Sequence, residues 1–146
     1  MDDLPALEPI LPAFLDPPYK RGRFVRALER GEVVVAVRGG HVAGFMWTNE
    51  FFGHAFVNVL AVAEQLRRNG IAGTLLAHAE AHAPTDRVFT STNASNAAMH
   101  AVLATYGWRR CGEVDDLDPG DPEIVYVKYP GRHTLLLHDR GEDGGG

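Results

Sequence analysis

Residues 60–76, LAVAEQLRRNGIAGTLL, decide how this chain reads. The apolar residues up to Val62 end a strand. Two arginines, an asparagine and two glycines then interrupt the apolar run, and helical spacing begins near Gly70. A helix that starts there carries unpaired N–H groups and a partial positive charge in its first turn. Gly70, Ala72 and Gly73 are small enough to let a diphosphate approach the backbone, and Arg67 and Arg68 can add charge-assisted hydrogen bonds. By themselves the glycines fit a plain strand-to-helix turn at least as well. The stretch lacks the Gly-Lys-Ser/Thr ending of a P-loop, and it lacks the full dinucleotide fingerprint.

Upstream, EVVVAVRGGHVAGFMW (32–47) sets two β-branched runs around Gly39-Gly40, a two-residue loop that supplies the positive φ angles of a tight hairpin. A third strand follows at residues 55–62, making an antiparallel meander. Val33 to Val37 is apolar on both faces, which predicts a sheet covered on both sides. Before it, Phe24, Ala27 and Leu28 recur at helical spacing, with Gly31 as the stop. Downstream, a helix from about Gly70 to Ala83 leads to a short strand at 87–92, an order that implies a right-handed crossover. Ser95 or Asn96 can cap another helix, which runs to Tyr106 and stops at Gly107. WRRCGEVDDL and EIVYVKY read as a closing antiparallel pair. The fold class is therefore α/β (α+β): a mixed, mostly antiparallel central sheet with helices on both faces.

The chain has 146 residues, 45% of them hydrophobic, enough for one compact domain with its own core. The expected organisation is a single domain over 1–130 and a tail over 131–146 that holds a candidate edge strand, HTLLLH. Residues 1–18 carry five prolines and suggest only a short helical piece. A net charge of −5 argues against nucleic acid as a partner. No apolar run approaches a membrane span, and the start of the chain lacks a signal peptide's basic residues, so a cytoplasmic protein is expected. Cys111 stands alone, which excludes an internal disulfide; a buried, inert thiol is its expected state. His78 and His82 have the spacing of a metal pair, but no third ligand is evident and no metal is expected.

At this point the stretch 60–76 resembles the acetyl-CoA signature of the GNAT N-acetyltransferases, Arg/Gln-x-x-Gly-x-Gly/Ala after a strand, with Arg67, Gly70 and Ala72 in its positions. TSTNASNAAMHAVLATYGWRRCGEV (90–114) is similar to the family's second block, with Asn93, Asn96, Gly107 and Trp108 matching. The resemblance spans residues 19–129 and implies the GNAT-like acyl-CoA N-acyltransferase fold with acetyl-CoA as cosubstrate. It implies that the backbone of Leu60 and Val62 binds the pantetheine arm and that a strand N–H near Leu60 polarises the thioester carbonyl. Backbone N–H groups from Arg68 through Asn69, Gly70, Ala72 and Gly73 to Thr74 would hold the pyrophosphate. Asn93 would reach the pantetheine amides, where two strands must splay. Family members often pair, which makes a homodimer a candidate assembly.

The implied chemistry is direct attack of a neutral primary amine, on a small molecule or a peptide, at the acetyl thioester. Since an alkyl ammonium has a pKa near ~10.4, a base or a water chain must assist. Many members place a tyrosine four residues before the Gly-aromatic pair to protonate the leaving thiolate; here that position is Leu103. Tyr106 is the candidate substitute, with packing on Trp108 as its alternative. Glu50, just before the connection into strand 55–62, is a candidate base, and Asn58 can orient a water. Asp121 and Glu123 can bind a cationic amine or lie solvated in their loop. Phe51 and Phe52 line an acceptor site or clamp the core. An acyl-CoA-binding regulatory module with little catalytic power is the rival reading, because Leu103 cannot donate a proton.

Overall fold

A computed structural model of the chain describes residues 18–131. The helical piece expected near the start and the strand expected at 133–138 lie outside the described residues. The fold is the mixed α/β, mostly antiparallel arrangement that the sequence predicts, and its residues fall into two compact units.

The first unit comprises residues 18–49 and 57–76. It opens with helix α1 (Pro18–Glu29). That helix closes as the sequence predicts. Gly31 takes φ +73°, and the N–H groups of Gly31 and Glu32 reach back to the carbonyls of Leu28 and Ala27. The apolar face of α1 packs on the hairpin formed by β1 (Val33–Arg38) and β2 (His41–Phe51). Phe24 stands edge-on to Phe45 at 5.3 Å and to Trp47 at 5.7 Å, and all three are buried. Losing a ring like Phe24 from such a core costs about 3–5 kcal/mol.

The β1–β2 turn is the two-residue loop anticipated, with Gly39 at φ +59° and Gly40 at φ +78°. One expectation needs correcting. Residues Val33 to Ala36 are only half-buried and Val37 is 64% exposed, because β1 is the outermost strand, paired with β2 alone. Its apolar residues are therefore not all covered by the described residues. β3 (His54–Val62) runs on into a single 3-10 turn at Glu64–Leu66 and then into helix α2 (Ile71–Ala81).

Gly44 on β2 is where this unit is tightest. A Cβ there would lie 2.7 Å from the Ala61 carbonyl oxygen and 3.3 Å from both the Val62 Cα and the Ile71 side chain. The strand end and the helix start lean on a position that has no room for a side chain.

The second unit comprises residues 50–56 and 77–131. β4 (Val88–Asn93) pairs antiparallel with β6 (Glu123–Lys128) over its whole length, and β5 (Arg109–Val114) pairs with the other edge of β6. Helix α3 (Ala97–Thr105) is capped by Asn96, whose side chain accepts the Met99 N–H at 3.2 Å. Lys128 closes its far end by donating to the Tyr106 carbonyl at 2.6 Å and lies 3.5 Å from Glu80.

Cys111 departs from expectation. It is exposed, because it occupies the bulge between Arg110 and Gly112 on the outermost strand of the order β4-β6-β5. Partial burial of the sulfur outweighs nearby Arg109 and raises the thiol above its ordinary pKa, so it stays protonated near neutrality.

Replacing Gly44 with Ala is expected to destabilise the protein by about 1–3 kcal/mol, because backbone cannot yield as a side-chain tip can. Urea denaturation measures this; an unchanged midpoint would contradict the close approach.

Candidate active site

The stretch that opens the sequence reading lies wholly in the first unit. Leu60 and Val62, both half-buried, end β3. The 3-10 turn follows, closed by the Asn69 side chain, which donates to the Leu66 carbonyl at 3.1 Å. The chain then takes two left-handed conformations close together, Arg68 at φ +70° and Gly70 at φ +77°. Glycine carries no penalty there, whereas a residue with a Cβ costs roughly 1–2 kcal/mol. Turns with left-handed residues of this kind build concave nests of N–H groups that attract anions.

Helix α2 makes its first N–H bond from Thr74 to the Gly70 carbonyl at 3.0 Å. Thr74 therefore has no N–H to offer a ligand, and its hydroxyl donates to the same carbonyl. This narrows the expected donor set. Among the described residues, the N–H groups from Arg68 to Gly73 have no backbone acceptor. Ile71, Leu75 and Leu76 are buried and fix α2, while Arg67 to Gly70 are exposed.

Arginines outnumber acids around this turn, with Glu64 in the preceding 3-10 turn. Arg67 folds back and donates to the Val62 carbonyl at 3.4 Å. Arg38, at the end of β1, reaches the Asn69 carbonyl at 3.5 Å. Among the described residues, none of Arg38, Arg67 and Arg68 has a carboxylate within ion-pair distance. In a chain of net charge −5, that leaves a concentrated positive site at the start of a helix. No pattern in the sequence flagged Arg38, because 31 positions separate it from Asn69. Asn58, half-buried on β3, also belongs to this unit.

In the second unit, Asn93 ends β4. Its amide nitrogen donates to an Asp118 carboxylate oxygen at 2.9 Å and to the Asp121 carbonyl at 3.1 Å. Both amide hydrogens are thereby engaged, and what remains for a ligand is the side-chain oxygen. Asp121 is likewise occupied, accepting from the Ser95 hydroxyl at 2.6 Å and the Ser95 N–H at 3.0 Å, and Glu123 accepts from Ser91 at 2.7 Å. The acidic loop thus anchors itself to the end of β4.

His100 adds to this anchoring and was not singled out by sequence. Its Nε2–H donates to the Asn93 carbonyl at 3.0 Å, since a carbonyl can only accept. Nδ1 of the neutral ring is then the acceptor, and the Tyr126 hydroxyl donates to it at 2.6 Å.

Leu103, at the position of the usual acid, is fully buried at 0% exposure, while Tyr106 is 38% exposed just past α3. Glu50 is exposed near the end of β2, next to an aromatic cluster. There Phe51 packs on Phe56 at 5.4 Å and on Phe89 at 5.2 Å, while Phe52, 89% exposed, leans on Phe51 at the hairpin tip. Phe89 and Asn93 are four residues apart on an extended strand, roughly 13 Å. Phe51 thus packs against the start of β4, away from Asn93 at its far end. His78 and His82 stack at 4.0 Å, and burial followed by the charge of His82 lowers the pKa of His78. No group of three or more metal-binding side chains occurs among the described residues.

The sequence model of the Acetyltransferase (GNAT) family matches residues 3–108. A GNAT-family acetyltransferase from Bacillus cereus ATCC 10987 is 32% identical, with a TM-score of 0.77 over 88% of this chain and 92% of that one. The ribosomal-protein-alanine N-acetyltransferase of Brucella melitensis is 23% identical, with a TM-score of 0.60 over 76% of this chain and 77% of its own. An acetyltransferase from Bacillus anthracis str. Ames, solved in complex with acetyl coenzyme A, is 16% identical, with a TM-score of 0.59 over 66% of this chain and 61% of its own. These last two likenesses concern the fold alone. No curated protein matches the chain.

Proposed function

Given that this chain belongs to the GNAT acetyltransferase family and is an acetyl-CoA-dependent acetyltransferase, we propose that it acetylates a primary amine of a small molecule or a peptide. The observation that carries the reading is the run of N–H groups from Arg68 to Gly73 that lack a backbone acceptor among the described residues, in a turn beside Arg38 and Arg67. A diphosphate fits that donor set better than any neutral ligand, because anions gain from both the N–H groups and the helix dipole. Arg67 and Arg68 add charge.

Leu60 and Val62 offer backbone groups to the pantetheine arm, and a strand N–H near Leu60 polarises the thioester carbonyl. Asn93, in the second unit, offers its side-chain oxygen as an acceptor for an amide N–H. The amine attacks in its neutral form; the C–N bond forms as the C–S bond breaks, and the ammonium proton leaves through water. Asn58 orients that water, and Glu50 is the carboxylate proposed to receive the proton.

Leu103 cannot protonate the leaving thiolate, so Tyr106 or solvent does so. A thiol's ordinary pKa near ~8.5 makes the thiolate a tolerable leaving group unaided. Residues 1–130 act as one catalytic domain in this reading, with 131–146 as a tail. No described helix is long and apolar enough to cross a membrane, and we assign the protein to the cytoplasm as a user of acetyl-CoA.

Substitutions at Gly70 separate charge from strain. Asn and Asp both tolerate its left-handed backbone comparatively well, and only Asp brings a negative charge. Like charges at about 5 Å repel by roughly 3 kcal/mol at the effective dielectric of a protein surface. Calorimetry is expected to show a Gly70→Asn affinity for acetyl-CoA within about fivefold of wild type and a Gly70→Asp loss of roughly a hundredfold. Equal losses would contradict a phosphate site.

Thiol release against an amine panel tests the proton carriers. Glu50→Gln is expected to lower kcat by about tenfold or more without changing acetyl-CoA affinity. Tyr106→Phe is expected to lower kcat most at high pH, where solvent protonates thiolate least. Unchanged rates remove the corresponding residue from the mechanism. Tight acetyl-CoA binding with no turnover on any amine would favour a regulatory CoA-binding module, the reading that buried Leu103 supports.

A further inference from the structure

We propose that Arg38 recognises the phosphate on the 3′ carbon of the coenzyme A ribose, and so lets the protein distinguish CoA from its dephospho form. The inference rests on reading the 68–73 turn as the diphosphate site.

Arg38 comes from a different element than the turn. It ends β1 beside the Gly39-Gly40 loop, is exposed, and places one guanidinium nitrogen 3.5 Å from the Asn69 carbonyl oxygen. At that length the contact locates the guanidinium more than it stabilises the loop. In a trans peptide the carbonyl and the following N–H point in opposite directions. Arg38 therefore sits at the opposite edge of the Asn69–Gly70 peptide from the Gly70 N–H, on the flank of the donor turn.

That flank position suits a second phosphate. CoA carries its diphosphate on the ribose 5′ carbon and a further phosphate on the 3′ carbon, two sugar carbons away. The 3′ group is a dianion or nearly so, and it suits the planar donor fork of arginine. One of the five guanidinium N–H donors of Arg38 is directed at Asn69, which leaves the others for a ligand. Arg67 is less free for this task, since its Nε is directed at the Val62 carbonyl. Among the described residues no carboxylate neutralises Arg38.

If Arg38 only clamped the loop, its removal would weaken every ligand of the turn alike. Phosphate recognition instead makes the loss depend on which phosphates the ligand carries. Calorimetric dissociation constants for CoA and 3′-dephospho-CoA, on wild type, Arg38→Gln and Arg38→Lys, tell these apart. Wild type is expected to prefer CoA by about five- to tenfold, the range of an exposed charge-assisted contact. Arg38→Gln is expected to lose that preference by weakening CoA alone, with dephospho-CoA within about twofold of wild type. Arg38→Lys is expected to keep part of it. Equal loss for both ligands, no loss for either, or a wild type indifferent to the 3′ phosphate would each overturn the proposal. A wild type that bound neither ligand would contradict the diphosphate site itself, and this inference with it.

Discussion

The turn from β3 into α2 is the constraint on which the first unit's chemistry depends. A helix start leaves N–H groups without partners, and burying them empty would be costly. Here they stay at the surface because Arg68 and Gly70 swing the chain through left-handed conformations before Ile71 enters the core. Gly44 lets this happen, since the ends of β3 and α2 approach β2 at a point with no space for a Cβ. Packing thus fixes the helix axis, and the helix axis fixes where its N–H groups point. In the proposed function, the diphosphate supplies the acceptors that the described backbone does not.

The end of β4 in the second unit follows a different logic. Its polar groups are already satisfied: Asn93 by Asp118 and the Asp121 carbonyl, Asp121 by Ser95, and the Asn93 carbonyl by His100. Carboxylates that look available in the sequence are consumed in holding the loop before β6. Fixing that loop favours a preorganised site over a mobile one, and it limits what Asn93 can still do for a ligand to accepting a hydrogen bond. Leu103, wholly buried, belongs to the packing of α3.

What was legible in the sequence was local. The Gly39-Gly40 hairpin, the Gly31 and Gly107 helix stops, and the Asn96 cap each follow from the conformational needs of one or two residues. The turn proposed to bind phosphate was legible as a strand-to-helix turn because Gly70 and its neighbouring arginines are contiguous. Features that depend on which strand lies outermost were not. Val37 and Cys111 read as core, yet both sit exposed on outer strands. Long-range partners were hidden too: nothing in the run of residues ties Arg38 to Asn69 or His100 to Tyr126. The commitment of the Thr74 N–H to Gly70 depended on the residue at which the helix begins.

Backbone amide chemical shifts during a titration with CoA test the central claim most directly. The account predicts saturable shifts that are largest for the amides of Arg68 to Gly73, with protons moving downfield as they donate to phosphate. Saturable binding that left those amides unmoved while others shifted would contradict it.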